Sequence, residues 1–184
     1  CEATNSLLGV AATAIAAGGT RAVRVYYDQT MKVWDVARGT AEGSSIPLDG
    51  NPGVAAVSAG GDLAAVGVDG GGVALYDLTG ARTRKDGFGL GHGEVLALGF
   101  DRACARLLAA GTHRAVLWDV AVGRPMGKAL EYTGGLGGSI GADGSVAIVI
   151  TAGGVVLADG RTGENRGVAL AEHGGVRCGV VSPD

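Results

Sequence analysis

Short runs of apolar residues follow one another along nearly the whole chain, and turn residues separate them. The pattern is best kept between Gly91 and Gly123, with apolar runs at EVLALGF (94–100), RLLAAG (106–111) and AVLWDV (115–120). Short runs rich in Val, Leu and aromatic residues, interrupted by turn residues, predict β-strands joined by hairpins. The last two runs are apolar at both alternating positions, so we expect their sheet to be covered on both faces.

Two series of landmark residues repeat along the chain with one period. An aromatic residue or alanine precedes an aspartate at steps of 42, 42 and 40 residues, and a glycine follows each pair. The pairs are Trp34-Asp35, Tyr76-Asp77, Trp118-Asp119 and Ala158-Asp159, and the glycines are Gly39, Gly80, Gly123 and Gly163. The second series is AAGGT (16–20), SAGGD (58–62), FDRAC (100–104) and GADGS (141–145). A period of about 40–45 residues with four strands per repeat is typical of propeller blades.

With Gly-His at 91–92 and Trp-Asp at 118–119, the chain resembles the WD40-repeat family over nearly all of its length. The resemblance implies an all-β fold, a partial WD40-type β-propeller of four four-stranded blades plus the inner strand of a fifth. Residues 1–8 are then a tail or an outer strand, and the repeat array covers 9–184. The expected blades are 9–51, 52–92, 93–134 and 135–173, with a partial blade at 174–184. Their outer strands are expected near 41–48, 84–90, 127–132 and 166–172.

The last predicted strand, GVRCGVVSPD (175–184), would be the inner strand of a blade that is not completed. An unpaired inner strand exposes its hydrogen-bonding edge. We therefore expect a piece of a longer propeller. The alternatives are a blade that another chain completes and a closed four-blade ring. Terminal repeats normally carry polar caps, and none is obvious in the sequence. Self-association through apolar open faces is a further expectation.

The amino-acid composition limits which partners, cofactors and cellular locations we expect. Glycine contributes 36 residues and aromatics only 4%, so the core must consist of Val, Leu, Ile and Ala. A net charge of −3 does not attract nucleic acid. The uncharged stretch 3–20 contains Asn, Ser and glycines and falls short of a membrane-spanning helix. Cys1, Cys104 and Cys178 share no metal-ligand spacing. We expect a cytoplasmic protein without cofactor or metal, unless Cys1 is the lipid-bearing start of a mature bacterial lipoprotein.

In WD40 proteins a histidine, an aspartate, a Ser/Thr and the tryptophan form one hydrogen-bonded set, and no blade here keeps all of it. Blade three has His92 and Trp118, but the hairpin where the aspartate is expected, Thr112-His113-Arg114, is one residue short. Blade two has Asp69, with Asn51 in place of the histidine. We interpret the repeated positions as structural anchors, the aspartates as acceptors of turn N–H groups. These anchors are Trp34, Asp35, Tyr76, Asp77, His92, Trp118, Asp119 and Asp159.

Charge separates the two ends of the predicted strands. We name one of these ends the first rim. It consists of the connections into each inner strand and the hairpins between second and third strands, and it is acidic. It carries Asp28, Asp49, Asp69, Glu94, Glu131 and Glu172 against Arg114 and Arg177. Complementary potential steers association, so this rim favours a basic peptide or protein. The predicted partner-binding residues are Asp28, Asp69, Glu94, His113, Arg114, Glu172 and Arg177.

The resemblance implies a non-catalytic scaffold for protein partners. The segment DVAVGRPMGKAL (119–130) is similar to repeats C-terminal to bacterial signalling NTPases or Ser/Thr kinases, which implies a sensor module of a larger chain. One alternative is a propeller enzyme, lactonase-like or quinone-dependent, which needs acidic, Asn or His residues around the central channel. The predicted inner strands contribute little but small apolar groups. The other alternative is a surface propeller anchored to lipid through Cys1.

Overall fold

The structure, a computed structural model, describes residues 9–79, 82–169, 179 and 181, without the side chains of 82–86 and 168–169. In this part of the chain there are four antiparallel sheets and one short 3-10 turn, Asp69–Gly71. The all-β prediction is confirmed. The predicted tail 1–8, Glu172, Arg177 and all of the predicted inner strand of a fifth blade except residues 179 and 181 lie outside the described residues.

Each sheet takes its strands from one predicted repeat, in sequence order from the inner to the outer edge. Blade one has β1 to β4, at Val10–Ile15, Arg21–Tyr26, Thr30–Asp35 and Thr40–Pro47. Blade two has β5 to β8, at Pro52–Val57, Leu63–Val68, Gly72–Asp77 and Arg82–Gly89. Blade three has β9 to β13, at Val95–Phe100, Arg106–Gly111, Arg114–Asp119, Arg124–Pro125 and Leu130–Glu131. Blade four has β14 to β17, at Gly135–Ile140, Val146–Thr151, Gly154–Asp159 and Asn165–Ala169.

The blades stack face to face, and their inner strands β1, β5, β9 and β14 are neighbours in that order. One apolar cluster fills each of the three interfaces between consecutive blades. Leu107 of β10 points into the interface with blade two, while Leu108 points into the interface with blade four. Both are at most 1% exposed. Successive strand residues face opposite sides of a sheet, so both faces of β10 are buried as predicted.

The outer strand of blade three differs from the prediction of one strand at 127–132. It is split into β12 and β13, because the Met126 N–H donates to Leu117 while Leu130 already pairs with Ala115. The residues between Met126 and Leu130 therefore bulge out of the ladder. Gly127 permits this bulge with a φ of 73°, a value that side-chain-bearing residues rarely adopt. The single-strand prediction was wrong because strand propensity does not indicate a bulge.

The repeated glycines after each aspartate close the hairpins between third and fourth strands. Gly39, Gly123 and Gly163 have φ values of 64°, 70° and 72°. Each donates its N–H to the carbonyl of the aspartate four residues earlier, at 2.8 to 2.9 Å. A left-handed residue that closes a turn is usually glycine. This requirement explains why the landmark series has the same period as the blades; Gly80 lies outside the described residues.

The face of blade one that points away from blade two differs from the buried faces. Val23, Val25, Met31 and Val33 point toward blade two. The alternate residues of β2 and β3 form the opposite surface, which we name the free face of blade one. This face comprises Ala22, Arg24, Tyr26, Lys32 and Trp34. Arg24 is exposed and Lys32 half-buried. These two cations were not recognised as one surface in the sequence, because the face on which they lie becomes clear only once the strand faces are known.

Candidate functional site: an acidic groove on the first rim

Polar side chains connect blades one and two at the first rim. Gln29 Nε2, in the hairpin between β2 and β3, donates to Asn51 Oδ1 at 3.0 Å. Asn51 donates from Nδ2 to Asp69 Oδ2 at 3.0 Å and from its backbone N–H to Asp69 Oδ1 at 3.3 Å. Asn51 stands where the family resemblance implies a histidine. Its side-chain amide contacts the hairpin aspartate, Asp69. The structure therefore shows an Asn–Asp pair at a position where the sequence indicated only a missing histidine.

A groove of about 260 Å³ opens beside this pair, between blades two and three. We name it the acidic groove and define it by Asn51, Asp69, Gly70, Gly93 and Glu94, which all line it. Asp69 and Glu94, both predicted as partner-binding residues, are thus brought to one place. Glu94 is exposed and makes no hydrogen bond or ion pair with the described residues. Its carboxylate is therefore available to a partner.

The other predicted partner-binding residues lie elsewhere on the first rim. Arg114 donates to the Leu90 carbonyl at 3.0 Å and forms an ion pair with Glu131 at 3.3 Å. Asp28 accepts from Thr30, at 3.1 Å from the backbone N–H and 2.7 Å from the hydroxyl. His113 is exposed at the hairpin of blade three. Arg114 therefore neutralises Glu131 and does not offset the charges in the acidic groove.

The four repeated aspartates accept turn N–H groups at the second rim, the opposite strand ends. Asp119 Oδ1 accepts from Ala121 and Val122 at 3.0 and 2.9 Å. The corresponding donors are Arg38 for Asp35, Thr79 for Asp77, and Arg161 with Thr162 for Asp159. The N–H of Arg161, the guanidinium of Arg166 and the N–H of Thr162 lower the pKa of Asp159 to about 2.

The aromatic anchors lack the hydrogen bonds that the WD40 resemblance implies. The indole Nε1 atoms of Trp34 and Trp118 are buried without a hydrogen-bond partner among the described residues. Burial raises the pKa of Tyr76 above 10.0. The His92 side chain is exposed and bonds to none of the described residues. These anchors thus contribute packing, as Phe88 and Trp118 show with ring centroids 5.2 Å apart.

The sequence analysis missed Tyr132, which links the outer hairpin of blade three to β10. Its hydroxyl donates to the Gly111 carbonyl at 2.9 Å, and burial raises its pKa to about 12. Only a signal for the bulged outer strand would have indicated this contact.

Among the described residues, no group of three or more His, Cys, Asp or Glu side chains is arranged to hold a metal ion. The same part of the chain contains no helix with the length and apolar character needed to span a membrane.

Charged side chains at the second rim close a hairpin within blade three and join blade one to blade two. Asp101, 1% exposed, accepts from the N–H groups of Ala105 and Arg106 at 2.8 and 3.0 Å and from the Arg106 guanidinium at 2.8 Å. Arg21 of blade one contacts Glu42 at 3.1 Å and donates to the Gly61 carbonyl of blade two at 3.2 Å. These charges are therefore already compensated inside the fold, unlike that of Glu94.

Four stacked antiparallel sheets with adjacent inner strands define this chain as a β-propeller arc. Among solved structures it is similar to Kuenenia stuttgartiensis hydrazine synthase, with a TM-score of 0.72 and 16% identity. The match covers 91% of this chain and 51% of that one, so the chain spans about half the length of that structure. No protein family model and no curated protein matches the chain. Since 1435 solved chains match, the likeness identifies the fold and no particular activity.

Proposed function

We propose that this chain is a WD40-type propeller segment that acts as a non-catalytic platform for a basic protein or peptide. The observation that carries the proposal is the acidic groove, where the Asp69 and Glu94 carboxylates line one cavity between two blades. In the cell the segment serves as a cytoplasmic sensor or docking module within a larger bacterial signalling protein.

The electrostatics of the first rim support a cationic partner. Its described residues include five carboxylates, and the one guanidinium among them, that of Arg114, is held by Glu131. The carboxylates are Asp28, Asp49, Asp69, Glu94 and Glu131. A rim with one dominant sign of charge attracts an oppositely charged partner and orients it. A Lys or Arg side chain that enters the groove would then pair with Glu94, which has no competing partner among the described residues.

The proposal is tested by titrating the chain into a fluorescently labelled Lys/Arg-rich peptide and following anisotropy at rising salt. We expect the Kd to increase with ionic strength, because screening shortens the reach of exposed charges. Glu94→Gln should weaken binding about threefold, and Asp69→Asn with Glu94→Gln about tenfold, the scale of exposed ion pairs.

The matched control is Asp62→Asn with Glu164→Gln, which removes the same charge from exposed residues at the second rim. It should leave the Kd within about a factor of two of the wild-type value. The proposal is wrong if binding is insensitive to salt, or if the control weakens binding as much as the groove variant.

A further inference from the structure

Equivalent cross-strand pairs occupy the centre of each blade. The second and third strands pair Val66 with Ala74 in blade two, Ala109 with Val116 in blade three and Val149 with Val156 in blade four. In each of these blades the pair lies in the interface with the preceding blade. At this position an aliphatic pair is therefore the signature of a face that another apolar blade covers.

Blade one has two cations at this position. Arg24 of β2 pairs directly with Lys32 of β3, on the free face of blade one. The Arg24 guanidinium lies over the Trp34 ring, 5.7 Å from its centroid, a distance at which a cation is attracted to the aromatic face. The change from aliphatic to cationic residues is confined to the one blade whose face has no described blade before it.

This arrangement has an electrostatic cost that a partner would relieve. Like charges directly opposite each other on two strands destabilise a sheet. Neither Arg24 nor Lys32 forms an ion pair with any described residue. Carboxylates brought from outside would compensate both charges, and apolar side chains beside them would cover Tyr26 and Trp34, which are half-buried.

The outward face of blade four is a poor occupant of this surface. It is lined by Ile148 and Leu157, both half-buried, and by Ile150, which is only 2% exposed. Gly179 lies against the two isoleucines, so part of this face is already covered. Head-to-tail stacking of two copies would bury Arg24 and Lys32 against these aliphatic groups without any anion. Burying unpaired charges is strongly unfavourable, so charge complementarity favours an acidic partner over a second copy.

We propose that the free face of blade one is a second docking surface, specific for a polypeptide strand that alternates carboxylate and apolar side chains. Its carboxylates pair with Arg24 and Lys32, and its apolar residues cover Trp34 and Tyr26. This surface is separate from the acidic groove and has the opposite charge preference, so the platform holds partners of two chemistries.

The probe is a short peptide of alternating Glu and Val, added to the whole chain while tryptophan fluorescence is followed. The chain has two tryptophans, and Trp118 is only 8% exposed between blades two and three, so a change reports on Trp34. We expect saturable binding that salt weakens, and no binding of the peptide with Lys in place of Glu. Calorimetry should show that Arg24→Gln with Lys32→Gln weakens binding about tenfold.

Charge reversal separates a docking surface from a general loss of structure. Arg24→Glu with Lys32→Glu should bind the Lys peptide and reject the Glu peptide, with unchanged circular dichroism. The control Arg124→Glu with Lys128→Glu makes the same charge change at exposed residues of blade three and should behave as wild type. Glu94→Gln should also leave binding of the Glu peptide unchanged, so failure of this proposal is distinguishable from failure of the acidic groove.

Three results would overturn the inference. The first is equal binding of the Glu and Lys peptides. The second is a DNA duplex that competes with the Glu peptide at equal affinity, which would identify a general polyanion surface. The third is self-association of the chain in sedimentation. If Arg24→Gln with Lys32→Gln abolishes this association and the Glu peptide does not reverse it, a second copy of the chain is the occupant.

Discussion

The two rims of this propeller arc are built from the same repeat, yet they treat charge in opposite ways. At the second rim, Asp101 is buried and fully engaged by Arg106 and two backbone N–H groups. At the first rim, Glu94 is exposed without a partner among the described residues. At the second rim this carboxylate is thus used inside the fold, to close the hairpin between β9 and β10, while at the first rim Glu94 presents its charge to solvent. Stability and recognition are separated along the strand direction.

The separation follows from how the hairpins are made. At the second rim each repeated aspartate closes its turn by accepting N–H groups, as Asp119 does from Ala121 and Val122. At the first rim some side chains bond to one another instead, as Asn51 does to Asp69. A carboxylate that does not accept hydrogen bonds from turn N–H groups remains able to bind a partner.

The largest expected effect comes from removing the buried carboxylate at the second rim. Asp101→Ala leaves the Arg106 guanidinium and two N–H groups without their acceptor, so we expect the free energy of unfolding to fall by about 4 kcal/mol. Urea denaturation followed by circular dichroism measures this as a lower midpoint at an unchanged slope.

Asp62→Ala is the matched control, because Asp62 lies in the equivalent hairpin of blade two with 66% of its side chain exposed. Its loss should change the free energy of unfolding by less than about 1 kcal/mol. Equal midpoints for the two variants would show that Asp101 does not stabilise the hairpin between β9 and β10.

The next effect concerns close backbone contact between blades three and four. Gly163 and Gly39 occupy equivalent turns, both with positive φ. A β-carbon on Gly163 would overlap the Met126 carbonyl oxygen, whereas one on Gly39 would meet nothing within 4 Å. Alanine at either site adopts a strained backbone, a cost of about 1 kcal/mol. Gly163→Ala should lose about 2 kcal/mol more, because blade three must move away.

Thermal unfolding of the two alanine variants isolates the contact between blades from the strain of the turn. We expect Gly163→Ala to have the lower Tm of the pair. If Gly39→Ala and Gly163→Ala have the same Tm, the blades are not in tight contact at this rim.

The sequence predicted the repeated architecture well, because alternation of apolar residues and turn chemistry are local signals. The strand AVLWDV and its burial on both faces could be read from its composition alone. The bulge around Gly127 could not, since it depends on which residues of β11 remain paired. The bond between Asn51 and Asp69 was also hidden, because a family pattern scores the residue type and an amide replaces a histidine there.

The cationic pair on blade one shows a different limit of sequence reasoning. Arg24 and Lys32 are visible in the runs AVRVYY and MKVWDV, but strand alternation allows them to face either neighbour. Only the side taken by Val23 and Met31, which pack on blade two, assigns the cations to the free face. The surface formed by Arg24 and Lys32 could therefore be assigned only from the order of the blades, and a local sequence pattern does not contain that order.

The smallest expected effect is the pH response of the second rim through Asp159. Its pKa, about 2 in the folded chain against 3.8 ordinarily, means that its contribution to stability is present above pH 3.8 and is lost as the pH falls toward 2. NMR titration of the carboxyl carbon should give this value directly. Because the Arg161 N–H is the largest cause, Arg166→Gln should raise the pKa while leaving it below 3.8. A pKa of 3.8 in the wild-type chain would mean that the turn N–H groups do not hold this carboxylate, and the contrast between the rims would lose its basis in blade four.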